Sequence, residues 1–228
     1  MKKIFLGSIF ALLCFTLNAQ QWNVGVGGGY IYNNFAMAKY KATGHHAFKA
    51  EAIFDYALRS SCGQCSCSGF VLSSGLGFSE KGGTITGDDI GYASNIRKVK
   101  ASPMYYLTIP LTVGYKFEVG KVAILPQIGV YAGIGVGGKG YVEGYAYPKN
   151  EPFRDEIVLF NAPEEGSPHG YYSHFNCFEY GATMAVNFTY DRFRLKAYYE
   201  HSLHEMNGAW GDPRHRSFGL SFIVMLKK

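Results

Sequence analysis

Apolar and polar residues alternate along the segment from Tyr105 to Phe117. Its odd positions are all apolar or aromatic, and its even positions are mostly small or polar. A period of two indicates a β-strand with one apolar face. That face continues unbroken over the length that a tilted strand needs to cross a bilayer, about 9–11 residues. The segment is therefore predicted to be a membrane-spanning strand.

The same alternation recurs along most of the chain. The eight predicted strands run from Trp22 to Tyr32, Ala47 to Leu58, Gly69 to Lys81, Tyr105 to Phe117, Val122 to Val136, Phe175 to Tyr190, Phe193 to Ser202 and Arg216 to Leu226. Strands in lipid must close on themselves, because their backbone polar groups cannot be left unpaired there. The expected fold is all-β: an eight-stranded antiparallel transmembrane β-barrel, an up-and-down meander.

The lengths of the links predict which end of the barrel faces outward. Outer-membrane barrels have short periplasmic turns and long outer loops. Glu118 to Lys121 and Asp191-Arg192 are tight, and Arg59 to Ser68 is a longer periplasmic turn. The long links are Asn33 to His46, Gly82 to Ser102, Gly137 to His174 and Leu203 to His215. With both termini periplasmic, these four are expected to lie outside the cell.

The third outer link is the longest and is expected to be the main recognition surface. It holds a cluster of tyrosines: Tyr141, Tyr145, Tyr147, Tyr171 and Tyr172. It also holds Pro148, Pro152, Pro163 and Pro168, which discourage regular structure. The tyrosines could bind a glycan or a protein, or they could pack the loop and the membrane interface.

The N-terminus carries the features of a secretory signal peptide. Lys2 and Lys3 form a basic region, Ile4 to Leu17 form an apolar region, and Leu17-Asn18-Ala19 is a plausible cleavage site. Residues 1–19 are predicted to be the signal and residues 20–228 the outer-membrane barrel domain. Cys14 suggests a lipoprotein as the alternative, but the bulky Leu13 stands where a lipobox has a small residue.

The composition also predicts a location in the outer membrane. The 228 residues are 47% hydrophobic and 16% aromatic and include 29 glycines, and no run besides the signal approaches the about 18 apolar residues of a membrane-spanning helix. An exported chain of this kind is expected in the outer membrane. Removal of the signal takes away two lysines and lowers the net charge from +5 to +3, which is too small to indicate a nucleic-acid partner. The expected partners are outer-membrane lipid at the wall and, at the loops, other envelope proteins or an extracellular ligand.

Several motifs resemble the PorT-like outer-membrane β-barrel family of Bacteroidetes, over nearly the whole mature chain. Tyr106-Leu107-Thr108-Ile109-Pro110-Leu111 resembles its Tyr-Leu-x-Ile-Pro-Leu signature, and Phe70 to Gly82 resembles the preceding strand, which ends in Ser-x-Lys-Gly. Glu179-Tyr180-Gly181 and Leu195 to Leu203 resemble its late hairpin. The resemblance implies an outer-membrane barrel whose founding relative works in a secretion system, and it carries over no catalytic residue.

The inward positions of the predicted strands hold charges of both signs. The cations are Lys49, Lys116, Arg194 and Lys196, and the acids are Glu51, Asp55, Glu179 and Glu200. Unpaired buried charge is costly, so these groups are expected to pair and to plug the narrow lumen. The alternative is a path for protons or ions.

Two groups of residues are candidate metal ligands. His45, His46, His201 and His204 fall at the predicted outer rim, where they could converge with Asp88 or Glu205 on a divalent ion or serve haem capture. Otherwise the loops simply tolerate histidine. Cys62, Cys65 and Cys67 form a C-x-x-C-x-C motif in the periplasmic turn. It suits a disulfide, free thiols or a soft metal.

Catalysis is the remaining alternative, since some eight-stranded barrels modify lipid. His201 and Ser202 are adjacent and so point to opposite faces of a strand. Ser217 and His215 share a face, but no acid stands beside them in the sequence. The sequence therefore predicts no enzyme and no cofactor. It predicts a plugged barrel with a structural, anchoring or binding role through its outer loops, as an accessory component of a secretion or uptake system or on its own.

Overall fold

The structure, a computed structural model, describes residues 21–58, 69–88, 90, 95–146, 149, 151–160, 175–206 and 213–227. The predicted signal peptide lies outside these residues. In the described ranges the chain forms nine β-strands: β1 (Gln21–Ala36), β2 (Lys41–Ala57), β3 (Gly69–Thr86), β4 (Asn95–Val119), β5 (Val122–Ala146), β6 (Glu151–Val158), β7 (Phe178–Tyr190), β8 (Phe193–Ser202) and β9 (Arg214–Lys227). Helices of the length and apolar character of a membrane span are absent from these ranges.

Eight of the strands close into an antiparallel barrel, which confirms the predicted fold class. The ring runs β1-β2-β3-β4-β5-β7-β8-β9 and returns from β9 to β1. In the described residues β6 pairs only with β5, along residues 139–146 at the outer end of that strand. β6 therefore extends the barrel wall outward and does not enter the ring.

The wall of the ring has an apolar outer surface, as the alternation predicted. Ile109, Ile128 and Phe70 point outward and are 58, 63 and 57% exposed, whereas Tyr106 and Thr108 point into the barrel and are buried. A continuous exposed apolar surface is unfavourable in water and favourable in lipid. The band formed by such residues is the part of the barrel that lies in the membrane.

Above this band β5 turns its apolar residues from the outside to the inside. Ile134 faces lipid and is 50% exposed, whereas Val142, an even number of residues later, is buried in the barrel. The pairing register of β4 and β5 shifts between Tyr105 and Tyr106, which leaves Val136 as an extra residue on β5. One extra residue moves every later side chain to the other face of the strand. The bulge therefore converts a lipid-facing pattern into a core-facing one.

Several strands extend further outward than predicted. β2 begins at Lys41 and β3 ends at Thr86, while β4 begins at Asn95 and β5 ends at Ala146. The expectation of irregular structure from Gly137 to His174 is wrong for residues 137–146 and 151–158, which are strands. Pro152 does not prevent β6, although proline lacks a backbone N–H group. It is the second residue of an edge strand, where this missing hydrogen-bond donor is tolerated.

The two short turns at the other end are where the sequence placed them. Gly120-Lys121 joins β4 to β5, and Asp191-Arg192 joins β7 to β8. Gly120 and Asp191 have φ angles of 62° and 50°, in the left-handed region that glycine and aspartate tolerate best. Because short turns are periplasmic in outer-membrane barrels, we assign this end to the periplasm. The third predicted periplasmic turn, Arg59 to Ser68, lies outside the described residues.

Gly29 is a position where the barrel has no room for a side chain. A Cβ atom there would lie 1.9 Å from the carbonyl oxygen of Leu220 and 2.6 Å from the Cα atom of Ser221. We expect Gly29→Ala to lower the free energy of unfolding by about 1–3 kcal/mol, since β1 must move away from β9. Urea unfolding in detergent micelles measures this. Gly137→Ala is the matched control, because nothing lies within 4 Å of a Cβ atom there. Equal effects would contradict the described β1–β9 packing.

Candidate functional site

A chain of alternating charges crosses the barrel interior. The nitrogen–oxygen distances along it are Lys196–Glu51 2.8 Å, Glu51–Lys49 4.0 Å, Lys49–Glu200 2.8 Å, Glu200–Lys81 3.4 Å, Lys81–Glu179 3.2 Å and Glu179–His215 3.1 Å. We call these seven residues the charge ladder. They stand on β2, β3, β7, β8 and β9, so the ladder connects opposite walls of the barrel.

The charge ladder is shielded from solvent. Lys81, Glu179 and His215 are 0, 1 and 1% exposed. The charges of its three lysines and three glutamates cancel when His215 is neutral. Glu179 also accepts a hydrogen bond from the Tyr131 hydroxyl, which gives this carboxylate three partners. Buried charge is tolerated only when it is paired in this way.

The predicted inward charges are mostly correct, and two members of the ladder were missed. All four predicted acids and three of the four cations lie in buried pairs, whereas Lys116 pairs with Glu118 at 2.6 Å, half-exposed at the periplasmic end. Lys81 and His215 complete the network instead. Lys81 follows inward-facing Ser79 by two residues, so continuing the alternation by one step beyond the predicted lumen positions would have found it.

A second, neutral network lies below the ladder. Arg194 pairs with Asp55 at 2.7 Å, Ser73 donates to Asp55 at 2.6 Å, and Gln127 donates to Ser73 at 2.6 Å. Asn187 donates in turn to Gln127 at 2.7 Å. Beneath this network a cavity of about 720 Å³ forms the periplasmic mouth. The lumen is thus open at its periplasmic mouth and filled by side chains further in.

An apolar cluster closes the lumen above the ladder. We call it the apolar cap; its buried members are Phe35, Ile85, Ile90, Ile96, Val99, Ala101, Met104, Tyr106, Val142, Ile157, Leu159, Phe175 and Met206. Phe35 stacks on the His215 ring at 5.1 Å between centroids, and Tyr106 meets the same ring edge-on at 5.6 Å. The cap therefore sits directly on the outermost ladder residue.

The candidate hydrolase pair, Ser217 and His215, lies inside the barrel below the apolar cap. His215 gains the acid that the sequence lacked, because its Nδ1 atom lies 3.1 Å from Glu179. Ser217, however, donates its hydroxyl hydrogen to Asn33 at 2.6 Å. Ser217 and His215 are 0 and 1% exposed, below the apolar cap. Both side chains of the pair are therefore closed off from the surface of the described barrel.

The four candidate metal histidines occupy two separate places. His45 lies 2.7 Å from Glu80, and His46 contacts the Tyr30 hydroxyl, both on β2. His201 is the penultimate residue of β8, and His204 lies just beyond the strand and contacts Asn176 at 3.2 Å. β1 and β9 separate the two pairs. Within the described ranges, no three His, Cys, Asp or Glu side chains form a group suited to a metal ion; metal binding stays a prediction.

The cysteines are only partly described. Cys62, Cys65 and Cys67 lie outside the described residues, so the alternatives for their motif stay open. Cys177 falls within the strand predicted from Phe175 to Tyr190, at an inward position of its alternation. The strand instead begins at Phe178, and Cys177 is a free, exposed cysteine just before it. The backbone bends at Cys177, and the alternation of the strand does not reach it.

The strand extensions form a sheet whose outward face is basic and aromatic. We call residues 95–104, 137–146 and 151–158 the outer sheet. The Tyr141 ring is surrounded by Arg154 at 3.9 Å, Lys98 at 5.3 Å and Lys100 at 5.6 Å from its centroid. Glu143 pairs with Lys98 at 3.2 Å and with Arg154 at 3.6 Å. The cations Arg97, Lys98, Lys100, Lys139 and Arg154 outnumber the acids Glu143 and Glu156 on this face.

Comparisons with known proteins identify a family and several solved structures to which this chain is similar. A family model for the outer membrane protein beta-barrel domain matches residues 18–207. Among solved structures, Ail of Yersinia pestis, crystallised with the heparin analogue sucrose octasulfate, is 10% identical with a TM-score of 0.41 and covers 90% of this chain and 99% of its own. Neisserial surface protein A is 8% identical, with a TM-score of 0.42 and coverages of 91% and 99%. The outer membrane enzyme PagL is 10% identical, with a TM-score of 0.40 and coverages of 90% and 99%. No curated protein matches the chain.

Proposed function

This chain belongs to the outer membrane protein beta-barrel domain family, and on that premise we propose that it is a plugged barrel that binds an anionic partner outside the cell through its outer sheet. The observation that carries the proposal is the Tyr141 ring with three cations around it. Lysine and arginine side chains held around an aromatic ring can donate charge-assisted hydrogen bonds to sulfate, phosphate or carboxylate groups.

The rigidity of the outer sheet supports a binding role. Its inward face contributes Ile96, Val99, Val142 and Ile157 to the apolar cap, so the sheet has a hydrophobic core of its own. A surface that is already ordered loses little conformational entropy when a partner binds. The cations of the outward face are therefore presented in a fixed arrangement.

Within the family we propose membership of the PorT-like group of Bacteroidetes, with residues 1–19 as a cleaved signal. The support is the Tyr106 to Leu111 signature and the Phe70 to Gly82 segment. Membership suggests that the anionic partner belongs to the cell envelope or its surroundings, and that the barrel serves as an accessory part of a secretion or uptake system.

We also propose that the protein is not an enzyme. A lipid-modifying enzyme needs a reactive group that its lipid substrate can reach. Ser217 and His215 are both buried, and Ser217 is engaged with Asn33. Capture of metal or haem would need the histidine pair on β2 to converge with the pair at the end of β8, and two strands lie between them.

Binding of the purified barrel in nanodiscs to immobilised dextran sulfate tests the proposal. We expect salt-dependent binding of the native protein, about tenfold weaker binding for the double variant Lys100→Gln/Arg154→Gln, and none to neutral dextran. The double variant Lys121→Gln/Arg192→Gln is the control, since it removes the same number of positive charges from the two short turns at the other end of the barrel. If the native protein ignores dextran sulfate, or if the double variant binds as well as the native protein does, the proposal is wrong.

A further inference from the structure

A second basic site lies on the opposite part of the barrel rim. A cavity of about 480 Å³ is lined by Ala36, Met37, Ala38, His201, Glu205, Arg214 and Arg216. Arg216 pairs across the strands with His201, and Arg214 pairs with Ala36. The ends of β1, β8 and β9 thus bring two arginines and one histidine to a single concave surface.

The charges of this rim cavity are suited to an anion. Glu205 lies 2.6 Å from Arg214 and neutralises it. Within the described part of the chain, Arg216 has no carboxylate within 4.0 Å. His201 lines the cavity beside it, with its Nδ1 atom buried. The sequence suggested His201 as a ligand for a cation. Two guanidinium groups beside it disfavour a metal ion and favour a negatively charged group.

The height of the cavity above the membrane indicates which anion. Arg216 stands two residues, or about 7 Å along the strand, above Phe218, a lipid-facing residue that is 56% exposed. His201 stands at the same spacing above Tyr199, whose ring packs on Phe218 at 4.7 Å. Aromatic residues of this kind mark the membrane–water interface of a barrel. The cavity therefore opens at the level of the lipid head groups.

We propose that this rim cavity binds the phosphate group of a phosphorylated glycolipid of the outer leaflet, with Arg216 as its main ligand. A guanidinium group can offer two parallel hydrogen bonds to one phosphate. The acyl chains of the same lipid would lie along Phe218 and its apolar neighbours below. The site is separate from the outer sheet and does not depend on the proposed function.

Native mass spectrometry of the refolded, lipid-free barrel with added lipid A tests the proposal. We expect one lipid A molecule per barrel, about tenfold weaker binding to Arg216→Gln, and an intermediate loss for Arg216→Lys, which keeps the charge but not the paired donors. Arg192→Gln, a matched change in the exposed β7–β8 turn at the opposite end of the barrel, is expected to bind as the native protein does. Heat-modifiable gel migration checks that every variant is assembled.

Three results would overturn this assignment. One is equal binding of lipid A to the native protein and to Arg216→Gln. Another is equal binding of dephosphorylated lipid A, which would assign the contact to acyl chains alone. The third is an Arg216-dependent affinity for inorganic phosphate that lipid A does not exceed, which would make free phosphate the ligand.

Discussion

Glu179→Gln is expected to lower the free energy of unfolding by about 3–5 kcal/mol, the usual cost of removing one partner from a buried ion pair. The substitution preserves the volume of the side chain and removes its charge. Lys81 then keeps only Glu200, at 3.4 Å, and must share it with Lys49. The ladder changes from neutral to a net charge of +1 in an interior that excludes water. Equilibrium unfolding in urea, followed by tryptophan fluorescence, measures the effect.

The barrel supplies a matched control for this experiment. Glu156 pairs with Lys139 at 3.1 Å, close to the 3.2 Å of Glu179 with Lys81, but the two side chains are 67 and 74% exposed. Glu156→Gln is therefore expected to change stability by less than about 1 kcal/mol. The comparison isolates burial, because the substitution and the pair distance are nearly the same.

A compensating substitution separates lost charge balance from lost packing. Lys81→Met in the Glu179→Gln background restores a neutral ladder and places an apolar chain of similar length in the same space. We expect it to recover more than half of the lost stability, since buried pairs can often be replaced by apolar groups at little cost. Failure to recover, together with equal effects at Glu179 and Glu156, would show that charge balance does not stabilise the barrel.

The membrane-spanning part of the fold was predictable because lipid and lumen impose opposite demands on neighbouring residues. β8 was predicted with its observed bounds, Phe193–Ser202, and it lies almost entirely within the apolar band. Pairing among Lys49, Glu51 and Glu200 also followed, because inward charges in a narrow barrel have only one another as partners.

The outer end was not predictable from alternation alone. Val142 continues the even-numbered apolar pattern of Ile134, so the sequence shows no change where the residue switches from lipid to core. The switch depends on the extra residue Val136, which is visible only in the pairing of β5 with β4. His215 was likewise assigned to the rim, because its partner Glu179 is 36 residues away in the chain and the cap above it was unknown.

The charge ladder and the apolar cap together lead to the second large effect, which is the absence of ion conduction. The refolded protein is expected to show no steady conductance in planar bilayers at either polarity. The charge ladder fills the lumen with side chains that bind one another, and its equal charges favour neither cations nor anions. The apolar cap above it is a separate barrier, since ions cannot cross a dry apolar constriction.

The two barriers can be distinguished by using Glu179→Gln again. Because the apolar cap does not depend on that carboxylate, the variant is expected to remain silent even though it is less stable. Steady current from the variant but not from the native protein would show that the charge ladder blocks ions and that the apolar cap does not. Open channels of porin size in the native protein would contradict both barriers, because the lumen between the 720 Å³ periplasmic mouth and the cap is occupied by the side chains of Lys49, Tyr131 and Glu200.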